Sequence, residues 1–483
     1  MPRIMTPQAE KTLSFLQEQR VHTPNHLYAY VYTSENTKRP QRNIYVTLQK
    51  YFEDYMNGLL DTRWVVMAGL RGAGKTTLLA QMYDRVAKEN VDVFYFSLDR
   101  SCEILHITLN QLVEGLETLL GKSIESLDRP LVLLLDEVHY DPQWELTLKT
   151  IYDRTNKVFI ISTGSSALHL NSSPDSARRR VSLKLYPMTF PEFLKISKDK
   201  YPIKGLCNTV RKAILESENA FEVYSRLQEV ESLVSQYYDG VTQSDFQKYL
   251  WHGSLPFMKP DIHEALIYDQ IQKTLDKVIH SDMNLAGNFS SAVLSQVSAI
   301  LYAVADMDAL AFSKLEAKFG IARGKIAEIF QALEKTEVLR RIYPYGSHLS
   351  QVSIRKPSKY IFSSPAFRAM YYKVIGSIIS DDNAKGKLYE DLVGMYLTRV
   401  LETLPATSLT YDGEQGGADF IINIASKKKI VIEVGAGSKG YRQVIQTSKK
   451  VKADYGLVLS SDSLDYSEEY NAVKIPHRIF LLT

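Results

Sequence analysis

Short apolar runs alternate with amphipathic stretches between about residues 40 and 190. The first run, WVVMAG, begins at Trp64 and is closed by a glycine, and apolar residues then recur at helical spacing in TTLLAQMYDRVAKE. Three more apolar runs follow, VDVFYFSLD, PLVLLLDE and KVFIISTGSS, with helical patterns between them. Buried parallel strands are continuous apolar runs joined by helical crossovers. The pattern therefore predicts an α/β fold, a parallel sheet with helices on both faces.

In the rest of the chain the pattern of apolar and polar residues changes at several points. Residues 1–40 are polar with helical character, which predicts a helical extension ahead of an α/β core at 41–190. Long helical patterns occupy 191–295 and predict a helical lid. A helix–turn–helix pattern followed by two strand-like runs predicts a winged helix at 296–375. Mixed strands and helices at 376–483 predict a smaller α/β domain.

Composition narrows the class of protein. The chain has 483 residues, of which 45% are hydrophobic and 23% charged, so wholesale disorder is excluded. Cys102 and Cys207 lie too far apart for a zinc ribbon or a disulfide framework, which favours a reducing cytoplasm. No apolar run reaches the ~18 residues of a membrane span, and the N-terminus lacks the apolar core of a signal peptide. We therefore expect a cytoplasmic protein with no membrane partner. The net charge of +3 is too small to indicate a partner.

The turn after the first strand carries a phosphate-binding pattern. The segment GLRGAGKT matches G-x4-G-K-[ST] between a predicted strand and a predicted helix. Its glycines allow successive N–H groups to face a phosphate, and the helix adds the positive end of its dipole. Lys75 would reach the β- and γ-phosphates, and the Thr76 hydroxyl would bind Mg²⁺. The predicted nucleotide-binding residues are Gly69, Leu70, Arg71, Gly72, Ala73, Gly74, Lys75, Thr76 and Thr77.

A strand ending in two carboxylates, LVLLLDE, supplies the partner that this loop needs. Asp136 would hold Mg²⁺, and Glu137 would polarise the water that attacks the γ-phosphate of ATP. The strand KVFIISTGSS is expected beside the loop strand, and Ser162, Thr163 and Ser165 compete for a sensor role at its end, with Thr163 preferred. Arg71 inside the turn could also touch phosphate, but we expect its side chain to point to solvent.

Two further features lie near this site in the sequence. Arg178, Arg179 and Arg180 form a basic triplet, and P-loop hydrolysis is often assisted by an arginine from a neighbouring subunit. The alternative is a solvated basic turn. His139, just after the acidic pair, is expected to be a structural neighbour.

These residues together resemble a family. GLRGAGKTTLL, LLLDEVHYDPQWELTLKTIYD, ISTGSSAL and the later RRR and PMTFPEF are similar to the predicted archaeal and bacterial AAA+-type ATPases. The segment FQKYLWHGSLPFM resembles a Gly-x-x-Pro segment of the same family. The resemblance covers about residues 40–460. It implies an ATPase joined to a winged helix and a C-terminal nuclease-like domain, and it leaves the cellular role open.

The helix–turn–helix pattern has a functional and a structural interpretation. Gly320 suits the end of the first helix, and Arg323, Lys325 and Lys335 on the second could contact DNA phosphates. A winged helix that only packs on protein is the alternative.

Three carboxylates in the C-terminal segment suggest a second metal site. Glu390 on a helix, Asp419 before one strand and Glu433 on the next could hold Mg²⁺ for phosphodiester hydrolysis. The arrangement resembles the PD-(D/E)XK, or restriction-endonuclease-like, fold. It departs from that pattern at Gly435, where the motif has lysine, and Lys439 is a possible substitute. A nuclease-like fold that only binds nucleic acid or protein is the alternative.

The sequence thus predicts an α/β P-loop ATPase that uses ATP and Mg²⁺, forms an assembly of identical chains, and acts on DNA or is switched by DNA. Two other functions remain open: a nucleotide-controlled signalling or defence switch that assembles on ATP binding, and an ATP-regulated DNA nuclease.

Overall fold

The computed structural model describes residues 6–59, 61–165, 174–256, 263–307, 311–346, 357–374, 381–425 and 427–483. Contacts between residues divide the chain into two compact units, Met1–Tyr186 and Pro187–Thr483. The helical extension predicted at 1–40 belongs to the first unit. The boundaries predicted at 295 and 375 lie inside the second.

The first unit is built around a parallel sheet. Its helices are α1 (Pro7–Val31), α2 (Ile44–Met56), α3 (Lys75–Val86), α4 (Leu109–Leu120), α5 (Trp144–Arg154) and α6 (Pro174–Ala177). Its strands are β1 (Trp64–Gly69), β2 (Asp92–Ser97), β3 (Leu131–Asp136), β4 (Val158–Gly164) and β5 (Val181–Leu185). The order is β2-β3-β4-β1-β5, and all neighbours are parallel. This confirms the predicted parallel sheet and the position of β4 beside β1.

Helices cover both faces of this sheet. On one face Trp64 of β1 packs in a cluster with Leu112 of α4 and Leu148 of α5. On the other, Phe52 of α2 meets Phe159 of β4 edge to face at 5.8 Å, and α3 contacts β1, β3 and β4. Strands β1, β3 and β4 are buried along their whole length, as continuous apolar runs predict. Helix α1 contacts α3, α4 and the edge strand β2.

The second unit combines helices with a mixed sheet. Its helices are α7 (Phe190–Lys198), α8 (Leu206–Glu216), α9 (Ala220–Tyr237), α10 (Gln243–Lys248), α11 (Glu264–Lys277), α12 (Met283–Ala286), α13 (Ser291–Asp306), α14 (Phe312–Phe319), α15 (Arg323–Lys335), α16 (Pro365–Val374), α17 (Asp381–Leu401), α18 (Arg442–Val451) and α19 (His477–Phe480). Its strands are β6 (Leu339–Pro344), β7 (Lys359–Phe362), β8 (Thr407–Tyr411), β9 (Phe420–Ile424), β10 (Lys428–Val434), β11 (Tyr455–Ser460), β12 (Asp465–Ser467) and β13 (Ala472–Pro476).

One sheet runs through most of this unit, in the order β12-β13-β11-β10-β9-β8-β6-β7. The segment RRIYPYG, predicted to begin a wing, contains most of β6, and the predicted strand KYIF is β7; these two strands pair antiparallel. The strand SIR, predicted to pair with KYIF, lies outside the described residues. Strand β6 also pairs parallel with β8, with Tyr343 opposite Thr410. The sheet therefore crosses the boundary predicted at residue 375. Gly320 ends α14 in the left-handed region at φ 67°, as expected for a helix C-cap.

Within the described ranges, none of the helices has the length and apolar character needed to cross a bilayer.

Candidate functional site

The glycine-rich turn joins β1 to α3 as predicted. Strand β1 ends at Gly69 and α3 begins at Lys75. Between them Gly72 has φ 83° and Gly74 has φ 99°, a region of backbone conformation that favours glycine. These two positions turn the chain sharply, so that N–H groups of the turn and of the first α3 residues can point to one anion.

Lys75 is buried against its own loop. Its Nζ donates to the carbonyl oxygens of Gly69 at 2.8 Å and Leu70 at 3.3 Å. The side chain is therefore anchored at the turn, and binding a phosphate would exchange these carbonyl partners for phosphate oxygens.

Asp136 is the centre of a buried hydrogen-bond cluster at the carboxyl end of β3. Its Oδ2 accepts from the Thr76 hydroxyl at 2.6 Å and from the Tyr95 hydroxyl at 3.3 Å. Its Oδ1 accepts from the hydroxyl of Thr163. Burial and the neighbouring Glu137 charge raise the pKa of Asp136 despite these donors. Thr76 and Asp136 thus place two oxygen ligands of the kind that Mg²⁺ prefers side by side.

Glu137 follows in a left-handed conformation, with φ 54°. Its Oε1 lies 3.8 Å from Nη1 of Arg71, and its Oε2 lies 3.3 Å from Nδ1 of His139. Burial alone would raise the pKa of Glu137, but the positive charges of Lys75 and Arg71 outweigh it and hold the pKa below its usual value. The carboxylate is thus kept ionised, as a general base requires.

Arg71 and Thr163 both lie against the acidic pair. Arg71 does not point to solvent as expected: its side chain is only 13% exposed, because it turns toward Glu137. Thr163, the preferred sensor, contacts Asp136 and also accepts a hydrogen bond from the Glu137 backbone N–H at 3.2 Å. It is the strand-end hydroxyl that links the two acidic residues.

The three arginines of the basic triplet have different surroundings. Arg178 is exposed, and Nε of Arg179 pairs with Asp153 at 2.6 Å. Arg180 is buried, with its guanidinium near the Trp64 and Trp144 rings at 5.6 and 5.7 Å. A finger that serves a neighbouring subunit must reach out of its own fold. Because Arg180 is part of the core, its position does not suit this role, and which arginine of the triplet acts as a finger stays a prediction.

Two residues near the site were missed by the sequence analysis. Arg42 is buried and donates to the carbonyl oxygens of Ala73 at 2.7 Å and Tyr186 at 2.8 Å. Tyr95, in the middle of β2, supplies the third hydroxyl on Asp136. No local motif marks either residue, because each reaches the site through the tertiary fold.

In the second unit the three predicted carboxylates are each paired with lysine. Lys359 of β7 lies 2.5 Å from Glu390 and 2.9 Å from Asp419, while Lys439 lies 2.7 Å from Glu433. Among the described residues, no three His, Cys, Asp or Glu side chains are placed to hold a metal ion together. The prediction that Glu390, Asp419 and Glu433 share Mg²⁺ does not fit this arrangement.

The basic residues of the helix–turn–helix segment are also engaged. Nε of Arg323 lies 2.5 Å from Glu316, and Nζ of Lys325 lies 2.6 Å from Glu328. Nζ of Lys335 donates to the Ala286 carbonyl at 3.5 Å. Only pairs with exposed partners, such as Arg323–Glu316, exchange readily with a phosphate.

Comparison with known proteins gives one family match and several relatives. The family model described as an AAA domain matches residues 61–194. The uncharacterized protein MJ1637 of Methanocaldococcus jannaschii is 36% identical over 442 residues, which cover 90% of this chain and 87% of that protein. The uncharacterized protein MJ1544 of the same organism is 24% identical over 197 residues, 39% of this chain and 42% of that protein.

Among solved structures, the Aeropyrum pernix ORC1 protein in complex with DNA matches at 12% identity and a TM-score of 0.33. The match covers 71% of this chain and 96% of that one.

Proposed function

Because the chain belongs to the same family as MJ1637 and carries an AAA domain, we propose that it binds ATP with Mg²⁺ and hydrolyses it. The observation that carries the proposal is the contact between Thr76 and Asp136 at 2.6 Å, beside the glycine-rich turn. Strand order alone would suit many α/β proteins. A hydroxyl from the turn meeting a carboxylate from β3 is what a nucleotide-bound Mg²⁺ requires.

Each residue has a distinct role in the proposed reaction. The turn N–H groups and Lys75 bind and orient the phosphates. Glu137 accepts a proton from the attacking water as its oxygen bonds to the γ-phosphorus, and ADP leaves with the bridging oxygen. Thr163 fixes the directions of Asp136 and the Glu137 backbone. Mg²⁺, when held by Thr76 and Asp136, neutralises charge on the phosphate oxygens.

The test separates binding from hydrolysis. We expect Lys75→Ala to lose ATP affinity, measured by calorimetry. Glu137→Gln keeps the shape of the side chain but not its basicity, so it should retain ATP and lose about 10²-fold or more of the phosphate-release rate. Lys88→Ala, on an exposed face of the same unit, is the control. Hydrolysis by Lys75→Ala at the wild-type rate would refute the proposal.

We further propose that the chain works as an assembly of identical copies, with Arg178 reaching the ATP of a neighbouring copy. Arg178 is the exposed member of the triplet, whereas Arg179 pairs with Asp153. Arg178→Ala should therefore lower the hydrolysis rate at assembly concentrations without changing ATP affinity. Arg179→Ala is the matched variant and should leave the rate nearly unchanged. Equal losses in both variants would remove Arg178 from this role.

DNA is the partner that we propose for the second unit, through a winged helix formed by α13, α14, α15, β6 and β7, with the helices α7–α11 as a lid. The exposed lysines Lys314 and Lys318 on α14 add to Arg323 on α15 as phosphate contacts. ATPase rates with and without single- and double-stranded DNA at two salt concentrations test this. If DNA neither binds to the protein nor stimulates its ATP hydrolysis at moderate salt, the proposal is contradicted.

One observation favours a slow, switch-like ATPase over a continuous motor. Glu137 is paired with Arg71 and His139 and sits in a left-handed conformation, which costs about 1 kcal/mol or more. A general base held in this way must be released before it acts. Turnover and oligomeric state measured together distinguish the two: a switch stays loaded with ATP and changes its assembly, whereas a motor hydrolyses steadily.

A further inference from the structure

The cluster around Lys359 brings together residues from distant parts of the second unit. Lys359 begins β7, Glu390 lies in α17, and Asp419 immediately precedes β9. The Lys359 ammonium contacts both carboxylates, at 2.5 and 2.9 Å, and its side chain is 8% exposed. The ammonium thus bridges the two acids.

Both oxygens of Asp419 already accept a hydrogen bond within the second unit. Its Oδ1 accepts from Lys359 at 2.9 Å, and its Oδ2 accepts from the backbone N–H of Val434 at 3.0 Å. The Val434 bond ties the aspartate to β10, the strand that carries Glu433. The cluster is thus fixed by the sheet itself.

Glu433 is occupied by a second lysine, and Gly435 makes the room for it. Lys439 reaches Glu433 at 2.7 Å from the loop after β10. A Cβ built on Gly435 would lie 3.0 Å from Cβ of Lys439 and 3.1 Å from its Cδ. A side chain at position 435 would therefore crowd the stem of Lys439, which would have to shift slightly. The departure from the nuclease motif at 435 and the Lys439–Glu433 pair are one structural feature.

We propose that Lys359 takes the place of a divalent metal in this cluster, so that the C-terminal sheet is a metal-free module that does not cleave phosphodiesters. This role of Lys359 does not depend on ATP hydrolysis in the first unit. Three observations support it: the two carboxylate contacts of Lys359, the hydrogen bonds to both oxygens of Asp419, and the separate pairing of Glu433 with Lys439.

The opposite interpretation is that Lys359 is a catalytic lysine that swings aside when metal binds. Binding of Mn²⁺ to the full chain, measured by electron paramagnetic resonance without nucleotide, separates the two. All proteins carry Asp136→Asn, so that the first unit lacks its carboxylate. The protein that carries Asp136→Asn and no other change should bind no Mn²⁺ above background. Mn²⁺ binding that disappears in Asp419→Asn would overturn the proposal.

Removing the internal cation should create the metal site. We expect Lys359→Met to gain about one Mn²⁺ per chain, at least ~10-fold tighter than its parent, because oxygen ligands are then unpaired. Lys359→Arg keeps the charge and should gain none. If Lys359→Met folds and binds no Mn²⁺, the proposal fails. If it does not fold, the parent and Lys359→Arg measurements still decide.

Discussion

Nη1 of Arg42 donates a hydrogen bond to the carbonyl oxygen of Ala73 at 2.7 Å, inside the phosphate-binding turn. The same guanidinium holds the Tyr186 carbonyl, just beyond β5, at 2.8 Å. One buried side chain from the segment before α2 therefore ties the turn to the edge of the sheet. It fixes the peptide between Ala73 and Gly74. Gly74 has a φ of 99°, the larger of the positive φ angles of Gly72 and Gly74.

Arg42→Met keeps much of the side-chain volume but leaves both carbonyl groups without their donor. Because buried unsatisfied groups cost about 1–3 kcal/mol, we expect a lower Tm together with a higher KM for ATP. Arg39→Met is the control, since Arg39 also donates to carbonyl groups, at Ala29 and Tyr32, but away from the turn. The control should leave KM unchanged. An unchanged KM in Arg42→Met would mean that the turn keeps its shape unaided.

Gly69→Ala should unfold the first unit readily. A Cβ at this position would lie 2.3 Å from the backbone oxygen of Leu185, in the neighbouring strand β5. Backbone cannot move aside as a side chain can, so the strands must separate, and we expect a loss of about 3 kcal/mol or more. Gly324→Ala is the contrasting variant. Gly324 lies in helix α15, and none of the neighbouring atoms considered among the described residues lies within 4 Å of a Cβ added there. This change should raise the free energy of unfolding by up to about 1 kcal/mol. Chemical denaturation measures both, and similar stability of the two variants would contradict the packing of Gly69.

Arg71→Met should split kcat from KM. Losing the contact with Glu137 frees the carboxylate to turn toward water, while Lys75 still favours its ionised form, so kcat should rise about two- to fivefold, which corresponds to up to about 1 kcal/mol. KM should rise as well if Arg71 exchanges its partner for phosphate. Steady-state phosphate release over a range of ATP concentrations gives both numbers. A tenfold fall in kcat would show that Arg71 assists hydrolysis rather than restrains it.

His477 should make the protein sensitive to mild acid. It stacks on Tyr389 at 4.1 Å, and its Nε2 lies 2.7 Å from the Gly435 carbonyl, which suits a neutral ring that donates from Nε2. Burial lowers the pKa of His477 to about 4. The unfolded chain therefore takes up a proton below about pH 6.5 that the folded chain refuses until about pH 4.

The contribution of His477 to the free energy of unfolding is therefore complete above about pH 6.5. It falls as the pH drops to about 4, by about 3 kcal/mol at most. Unfolding free energies of wild type and His477→Gln, compared between pH 7 and 4.5, measure the effect. His263→Gln is the control, because that side chain caps α11 at an exposed site. Parallel pH profiles for wild type and His477→Gln would refute the assignment.

Short-range sequence patterns were enough to predict the elements that consecutive residues form. The turn at Gly69–Thr76 and the strand ending in Asp136 follow from short runs of sequence, and the neighbouring position of β4 follows from the rules of parallel sheets. Arg42, Tyr95 and Lys359 could not be found in this way. Each reaches its partners across distant stretches of chain, and a lone Arg, Tyr or Lys carries no periodic signal.

The C-terminal cluster shows the same limit more sharply. Spacing correctly indicated that the strand Asp419 precedes, β9, neighbours the strand that carries Glu433, β10, and it drew attention to Gly435. It could not show that a lysine from β7 would reach between the acids. The chemistry of a carboxylate cluster depends on which cation fills it, and that cation came from outside the motif.

The parallel pairing of β6 with β8 makes the β6–β7 pair and the C-terminal strands parts of one hydrogen-bonded sheet. A fragment that starts at residue 376 would lose β6 and β7 and expose β8 as a bare edge, open to pairing with other chains. It would also lose Lys359 and leave Glu390 and Asp419 without their counter-ion. The smallest part of the second unit that could fold alone is therefore larger than residues 376–483, and that segment by itself would be prone to aggregate.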